Sequence, residues 1–440
     1  MSGLSWEFVL GLMGGGLVAL MGLGVPVAFA FLAINLVGAW FILGGEAGLK
    51  LLAMNATEAV GSFALVPIPL FILMGELLLH TGLATRAIAA IEKLIAAVPG
   101  RLSLVAVTSG AVFASLSGST IANTAVLGRV LLPDMHRMGY HPVLSIGPVL
   151  AVGGIAMLIP PSALAVLFGS LAGISISGLL IAGIVPGLML AALYFVFIVV
   201  AARLRPGLAP PDPVERLPLR ARVRPFLIYV LPLMGIVVVV VGSILAGVAT
   251  PTESAALGCI ATLAAAAAYR ALDWRSLRAA LLGTARTSAL ILIIISGSIT
   301  FSQILSFSGA SRQIIGIVTD IGLEPFVLVA AMLVLALLLG MLMDQVSIML
   351  ITLPFFMPLV NQAGVDPIWF GVMMLVALEI GLITPPFGLL LYIMQSVAPK
   401  GVGMREILGG IAPYLGLELV GLALLFAFPA IALWLPGLLR

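Results

Sequence analysis

The sequence predicts an all-α polytopic membrane protein with two inverted-topology repeats, each containing about five spans and one re-entrant helical hairpin. Hydrophobic residues form 62% of the chain and charged residues 8%, whereas a soluble domain is about 25% charged. One pattern of proline and glycine also occurs twice, 225 residues apart. Its first copy is Pro133, Gly139, Pro142, Pro160-Pro161, and its second copy is Pro358, Gly364, Pro367, Pro385-Pro386.

Each Pro-Pro pair lies inside a long apolar run that otherwise has the composition of a membrane-spanning helix. Proline breaks helices, and broken backbone at membrane depth is tolerated only where it is buried in protein or lines a cavity. A simple kink would explain one such pair but not two in register. Broken helices at matching positions of two halves are the best sequence indication of a transporter's binding site.

The first repeat is predicted over residues 1–202. Its re-entrant hairpin is placed at about 102–133, because each flank of the polar tip has about 14 residues, too few to cross a bilayer at about 1.5 Å per residue. A helix broken at Gly153-Gly154 and Pro160-Pro161 follows at about 142–172. The remaining elements are two spans within 6–43, a polar connection at 44–58, a span at 60–80, an interfacial helix at 84–99 and a span at 176–202.

A polar linker at 203–224 leads to the second repeat, predicted over 225–440. The order of elements is the same there. Spans are predicted near 225–247, 253–271 and 287–307, a hairpin at about 325–362, a broken helix at about 367–398 and a last span at 407–437.

The distribution of Lys and Arg predicts the orientation in the membrane. Five segments are expected in the cytoplasm: the 203–224 linker, 270–286, 399–405 and the feet of the first hairpin near Arg101 and Arg137. The feet of the second hairpin carry Glu324 and Asp366 and are expected outside. Five crossings per half, an odd number, would invert the second half relative to the first and place both termini outside.

The first hairpin tip is a run of small polar residues, Ser117-Gly118-Ser119-Thr120, with Asn123 one turn later. A helix that ends and restarts inside the membrane offers carbonyl groups to a cation and N–H groups to an anion. Ser and Thr hydroxyls add the oxygen ligands that hard cations favour. The alternative is that these residues only allow helices to pack closely.

The matching tip of the second hairpin is Gly340-Met341-Leu342-Met343-Asp344. Asp344 falls at the position of Ser119, and a carboxylate in so apolar a stretch is costly and by default functional. Three roles are open for it: a sodium ligand, a proton carrier or a structural cap of the tip. Glu379, in the second broken helix, is either a second functional acid or a structurally paired one.

The sequence also excludes several functions. It has no G-x-x-x-x-G-K-[ST] motif, so ATP is not the energy source within this chain. It lacks H-E-x-x-H and G-x-S-x-G, and only Asp344 is clearly placed for acid chemistry, so an intramembrane enzyme fits poorly. No nucleic-acid partner is expected. A scaffold without transport would leave the duplicated broken helices unexplained.

Five segments together resemble the large membrane subunit of tripartite ATP-independent periplasmic (TRAP) transporters: Pro69–Gly75, Ser117–Ser119 with Ala122-Asn123, Ile159–Ser162, Gly340–Asp344 and Thr384–Gly388. The resemblance covers nearly all 440 residues. It implies a sodium-coupled importer of organic acids in the bacterial inner membrane, with an elevator-type mechanism and periplasmic termini. It also implies two partners, a separate small four-helix membrane subunit and a periplasmic substrate-binding protein.

On this basis, sodium is expected at Ser117, Gly118, Ser119, Gly153, Gly154, Gly340, Asp344, Gly381 and Thr384. The organic acid is expected at Ser119, Thr120, Asn123, Pro161, Ser162, Pro386 and Gly388. The alternative function is a stand-alone sodium-coupled anion carrier of related architecture, which would need neither partner.

Overall fold

The structure, a computed structural model, describes residues 5–95, 98–210, 218–386 and 388–438. Helices account for 83% of it and the described ranges contain no strand, which confirms the all-α prediction. Six described helices are long and apolar enough to cross a membrane: Phe63–His80, Ile176–Leu204, Leu219–Leu245, Trp274–Phe307, Gln345–Gln362 and Met404–Ala427. Further apolar helices of 10–17 residues accompany them. The protein is therefore a multi-pass membrane protein.

The first half contains ten helices in its described part. They are α1 (Trp6–Gly22), α2 (Val27–Phe41), α3 (Glu46–Gly61), α4 (Phe63–His80), α5 (Leu83–Leu94), α6 (Arg101–Ser117), α7 (Thr120–Arg137), α8 (Pro142–Met157), α9 (Ala163–Ala172) and α10 (Ile176–Leu204). The first hairpin is α6 and α7, and the first broken helix is α8 and α9.

The second half follows the same order. Its helices are α11 (Leu219–Leu245), α12 (Pro251–Ala268), α13 (Trp274–Phe307), α14 (Ala310–Asp320), α15 (Pro325–Gly340), α16 (Gln345–Gln362), α17 (Pro367–Leu382), α18 (Leu389–Val397), α19 (Met404–Ala427) and α20 (Ala430–Gly437). The second hairpin is α15 and α16, and the second broken helix is α17 and α18.

The structure corrects two predicted elements. Residues 44–58, predicted as a polar connection, mostly belong to a helix, α3, which contacts α13. The last span is not continuous over 407–437. It stops after Ala427, and Phe428 takes extended backbone angles, φ −128° and ψ 79°, because the ring of Pro429 disfavours a helical conformation in the residue before it.

Two other boundaries also differ. The basic segment 270–286, from Trp274 onward, and the span at 287–307 form one helix, α13, which runs for 34 residues. The linker predicted at 203–224 is partly helical: α10 continues to Leu204 and α11 begins at Leu219. Residues 211–217 of that linker lie outside the described residues.

Buried amide side chains join α2, α3 and α13. The Nδ2 group of Asn35 donates to the carbonyl of Gly297 at 2.5 Å. The Nδ2 group of Asn55 donates to Thr300 Oγ1 at 3.0 Å and to Gln303 Oε1 at 2.7 Å. Because buried polar groups are costly without partners, these bonds fix α3 against α13 and explain why a polar segment forms a helix here.

The packing between the two halves is reciprocal. The second arm of the first hairpin, α7, contacts α18, and the corresponding arm of the second hairpin, α16, contacts α9. In the same way α8 contacts α19, and α17 contacts α10. Corresponding elements of the two halves therefore make corresponding contacts.

Candidate functional site

The first hairpin turns at a glycine. Helix α6 ends at Ser117, and Gly118 takes the left-handed conformation with φ +56°, which glycine adopts without steric cost. Ser119 then caps α7, since its Oγ accepts a hydrogen bond from the N–H of Ala122 at 3.3 Å. The N–H of Ser119 donates to Ser117 Oγ at 3.4 Å. The polar tip is thus held by its own serines.

This tip packs closely on the first broken helix. A methyl group at Gly118 would lie 2.9 Å from the carbonyl oxygen of Pro161, so a side chain there would press on backbone. On the other side of the tip, a methyl group at Gly75 would lie 2.6 Å from the carbonyl oxygen of Ser117. Ser162 is buried and caps α9, accepting from the N–H of Ala165 at 3.2 Å.

The second tip is held by a carboxylate. Oδ1 of Asp344 accepts from the N–H groups of Val346 at 3.0 Å and Ser347 at 3.1 Å, and the Ser347 hydroxyl donates to Oδ2. Asp344 is therefore the N-cap of α16, which is one of the three roles open to it. Its role as a sodium ligand stays a prediction.

The second hairpin touches the second broken helix backbone to backbone. A methyl group at Gly340 would lie 2.7 Å from the Cα atom of Gly381, and one at Gly381 would lie 2.6 Å from the Cα atom of Gly340. Beyond the break, a methyl group at Gly388 would lie 2.7 Å from the carbonyl oxygen of Leu382 and 2.9 Å from that of Thr384. Carbonyl oxygens therefore converge at this break, as a cation site requires.

Asn123 connects the first hairpin to the first broken helix. It is fully buried, and its Nδ2 group donates to the carbonyls of Gly110 at 3.2 Å and Val152 at 3.1 Å. This position is internal to the protein, and the bonds of Asn123 hold α6, α7 and α8 together.

The side chain of Glu379, in the second half, contacts the first half. It is buried in α17, and a methyl group at Gly154 would overlap its carboxylate group. Gly154 and Glu379 occupy the same place in the 225-residue repeat. Equivalent residues touch each other where a two-fold axis passes between them. The contact joins the two broken helices, one from each half of the chain.

A second contact between the two halves involves the second hairpin tip and α8. The Nε2 group of Gln345, at the second hairpin tip, lies 3.3 Å from the Sδ atom of Met157, in the last turn of α8. Both side chains are buried. The hairpin tip of one half thus reaches the broken helix of the other.

The structure gathers the predicted site residues into three groups. Gly118 adjoins Pro161 and Ser162. Gly340 adjoins Gly381, and Gly388 adjoins Thr384. Gly153 adjoins α7, and Gly154 adjoins Glu379. Pro386 is exposed. The sequence reasoning missed Thr124, whose Oγ1 a methyl group at Gly153 would overlap. Thr124 lies one helical turn after Thr120, a predicted site residue, and this spacing could have identified it.

These groups suit a hard cation by their chemistry. They offer backbone carbonyls, hydroxyls and single carboxylates, which are the oxygen ligands of such ions. Within the described ranges, no three His, Cys, Asp or Glu side chains come together in a way that would hold a metal ion.

Comparison with known families decides the identity of the chain. Residues 15–431 match the family described as tripartite ATP-independent periplasmic transporter, DctM component. The chain belongs to the large permease subunits of TRAP transporters. This match confirms the resemblance to TRAP transporters that the sequence motifs indicated. Membership gives the chain a permease role without enzymatic activity, in a family that works with small membrane subunits and periplasmic binding proteins.

Three relatives illustrate the range of this family. The C4-dicarboxylate TRAP transporter large permease protein DctM of Pseudomonas aeruginosa is 33% identical, over 88% of this permease and 89% of its own chain. The 2,3-diketo-L-gulonate large permease protein YiaN of Escherichia coli is 32% identical, over 92% and 93%. The sialic acid large permease protein SiaM of Vibrio cholerae is 28% identical, over 96% and 97%.

Solved structures support the fold. The permease superposes on the YdaH transporter of Alcanivorax borkumensis with a TM-score of 0.64 and 15% identity, covering 88% of this chain and 90% of that one. MtrF of Neisseria gonorrhoeae gives a TM-score of 0.61 at 15% identity, with 98% and 97% covered. At this identity the likeness concerns the fold alone.

Proposed function

We propose that this permease imports an organic acid by sodium-coupled secondary transport in the inner membrane. It would act with a separate small four-helix subunit and a periplasmic binding protein. The observation that carries the proposal is the contact between Gly154 and Glu379, because it joins equivalent residues of the two broken helices. A binding site at the interface of two repeats is the arrangement that secondary transporters use.

The proposal includes inverted repeats and periplasmic termini. The reciprocal packing of α7 on α18 and of α16 on α9 supports a two-fold relation between the halves. An odd number of crossings per half would place that axis in the membrane plane. The Gly154–Glu379 contact would then lie near the middle of the bilayer.

The same packing supports an elevator-type movement as part of the proposal. The hairpins and broken helices contact one another within and between the halves, so they would move as one unit against α2, α3 and α13, which Asn35 and Asn55 hold together. Each net positive charge carried inward yields about 2.3 kcal/mol per 100 mV of membrane potential. Sodium would thus drive accumulation without ATP.

The substrate class is supported by the names of the relatives. C4-dicarboxylates, 2,3-diketo-L-gulonate and sialic acid are all organic acids with a carboxylate. In this chain the helix N-termini at Ser119 and Ser162 offer N–H groups that favour such an anion, and bound sodium would offset its charge.

Uptake into proteoliposomes tests this function. Vesicles containing the permease and its small subunit, with the binding protein and a radiolabelled acid outside, should accumulate the acid only with an inward sodium gradient. Uptake that is equal in choline would contradict sodium coupling. Uptake by the permease alone would instead favour the stand-alone carrier.

A further inference from the structure

Exposed arginines surround the point where α12 ends. Arg86 of α5, Arg270 just after α12 and Arg278 in the second turn of α13 are all exposed. Within the described residues, none of the three takes part in an ion pair. The segment 270–286 contains a single acid, Asp273, whose carboxylate caps α13. These arginines are therefore available to bind an anion.

Arg270 takes a backbone conformation that favours glycine. Its φ is +51°, and in the described ranges every other residue with positive φ is a glycine. The N–H of Arg270 donates to the carbonyl of Ala267 at 2.9 Å, and the next N–H donates to that of Ala266 at 2.9 Å. Helices that end with these two bonds commonly have glycine here, because a side chain makes left-handed backbone costly. An arginine at such a position indicates a role for its side chain.

Arg86 reaches the same corner from α5. Its Nη1 group donates to the carbonyl of Tyr269 at 3.4 Å, which places a second guanidinium group beside the backbone of Arg270. The Tyr269 hydroxyl donates to the carbonyl of Ile228, and the rings of Tyr269 and Tyr229 lie 5.6 Å apart. Helices α5, α11 and α12 thus meet at two arginines and two tyrosines. Tyrosines are enriched where a protein crosses the surface of the membrane.

The start of α13 carries exposed apolar side chains close to these charges. Trp274 is 74% exposed and Leu281 is 46% exposed, and their spacing places both on one face of α13 with Arg278. With 34 residues, α13 is about 50 Å long, whereas the hydrocarbon core of a bilayer is about 30 Å thick. The first turns of α13 therefore extend into the headgroup region. A dissolved anion would match only the charges, whereas a phospholipid matches both the charges and the apolar side chains.

We propose that Arg86 and Arg270 bind the phosphate group of an anionic phospholipid at the membrane surface. Guanidinium groups match phosphate oxygens through paired N–H donors, and basic residues beside a membrane span attract anionic lipids. Basic residues also set the orientation of a span, but that role requires neither the left-handed backbone of Arg270 nor its proximity to Arg86. A lipid held there would link α5 to the end of α12. The inference is independent of sodium coupling.

Lipid-dependent stability of the purified full-length permease tests the site. The unfolding temperature in an uncharged detergent is followed as phosphatidylglycerol, which is anionic, is added at fixed ionic strength. Phosphatidylcholine, which has no net charge, and inorganic phosphate are titrated in parallel. Phosphatidylglycerol should stabilise the wild type more than phosphatidylcholine does, and inorganic phosphate should not stabilise it. Arg86→Gln and Arg270→Gln should each raise the phosphatidylglycerol concentration of half-maximal stabilisation by about fivefold, the effect of losing one basic residue at an anionic surface.

Arg270→Gly separates the binding role from a structural one. Glycine removes both the charge and the cost of the left-handed backbone, so this variant should unfold at a higher temperature than the wild type without added lipid. It should nevertheless need about fivefold more phosphatidylglycerol, as Arg270→Gln does. If Arg270 had only a structural role, the response to phosphatidylglycerol would not change.

Arg312→Gln is the matched control. Arg312 is an exposed arginine of α14, the helix that follows α13 in the second half as α5 follows α4 in the first. Its substitution removes the same charge and should leave the phosphatidylglycerol concentration of half-maximal stabilisation unchanged.

The outcomes decide between a lipid site and its alternatives. Raised concentrations in the Arg86 and Arg270 variants, with an unchanged control, support the site. A wild type that phosphatidylglycerol does not stabilise, or an unchanged concentration in the variants of either arginine, overturns it. Equal stabilisation by phosphatidylcholine, or an equal weakening in Arg312→Gln, contradicts it as well. Stabilisation by inorganic phosphate that the same variants abolish would assign the arginines to a dissolved anion and overturn the lipid. If a glutamine variant does not fold, the result for Arg270→Gly decides.

Discussion

The tip of the first hairpin turns at Gly118 with φ +56°, whereas the second tip turns through Met341–Met343 without any residue at positive φ. Ser119 caps the helix that follows in the first half, and Asp344 takes that place in the second. The second tip satisfies both oxygens of its carboxylate locally. The first unit leaves the hydroxyls of Thr120 and Thr124 unpaired. The two units share a backbone plan but differ in polar chemistry.

The difference shows what the repeat preserves. Both units keep the helix breaks and the hairpin turn, because these depend on proline and on the positions where helices end. The charged groups are not kept in register: Glu379 has Gly154 as its equivalent, and Asp344 has Ser119. In both pairs the second half carries the acid, whereas Thr120 and Thr124, whose hydroxyls have no partner, lie in the first half.

Gly340→Ala should have the largest effect, because the second hairpin contacts its broken helix through backbone atoms at Gly340 and Gly381. The new methyl group would lie 2.7 Å from the Cα atom of Gly381, which belongs to backbone and has no side-chain freedom. We expect a loss of about 1–3 kcal/mol in the free energy of unfolding, as overpacking causes, and loss of uptake. The equivalent residue of the first unit, Ser115, is buried with its side chain accommodated.

Gly235→Ala is the control for that substitution. Gly235 lies inside α11, and a methyl group there would meet nothing within 4 Å. Alanine is favoured over glycine inside a helix by about 0.5–1 kcal/mol, so this variant should be slightly more stable than the wild type. Thermal unfolding in detergent measures both. Equal stability of the two variants would show that the contact between Gly340 and Gly381 tolerates a methyl group.

Gly118→Ala should have the next largest effect and should be specific to the first tip. Left-handed backbone costs a residue with a side chain about 1–2 kcal/mol, and the methyl group would also lie 2.9 Å from the carbonyl oxygen of Pro161. Gly173→Ala isolates the first contribution, since Gly173 has φ +66° and open space around it. Unfolding measurements should rank Gly118→Ala as the more destabilised. The reverse order would mean that the first hairpin tip does not pack closely on the first broken helix at Pro161.

The sequence was sufficient for the parts of the site that local rules govern. Pro-Pro pairs predict the helix breaks because a proline removes a backbone donor, and short apolar flanks predict the hairpins. Helix α3 was not predicted, because polar residues interrupt the apolar pattern expected of a helix. One of these residues, Asn55, is directed inward and donates to Thr300. The meeting of Thr124 with Gly153 and of Glu379 with Gly154 depends on how the helices dock. No sequence spacing encodes that docking, although the repeat register relates Gly154 to Glu379.

Asp344 offers the finest test of the difference between the tips, because capping and charge are separable there. Asp344→Ala removes the acceptor for the N–H groups of Val346 and Ser347 and should lower the free energy of unfolding by about 1 kcal/mol. Asp344→Asn keeps an acceptor, and Asn caps helices about as well as Asp, so its stability should stay near that of the wild type. If the second tip also binds sodium, Asp344→Asn should still raise the sodium concentration needed for half-maximal uptake. An unchanged sodium requirement in that variant, with normal stability, would leave Asp344 as a cap alone.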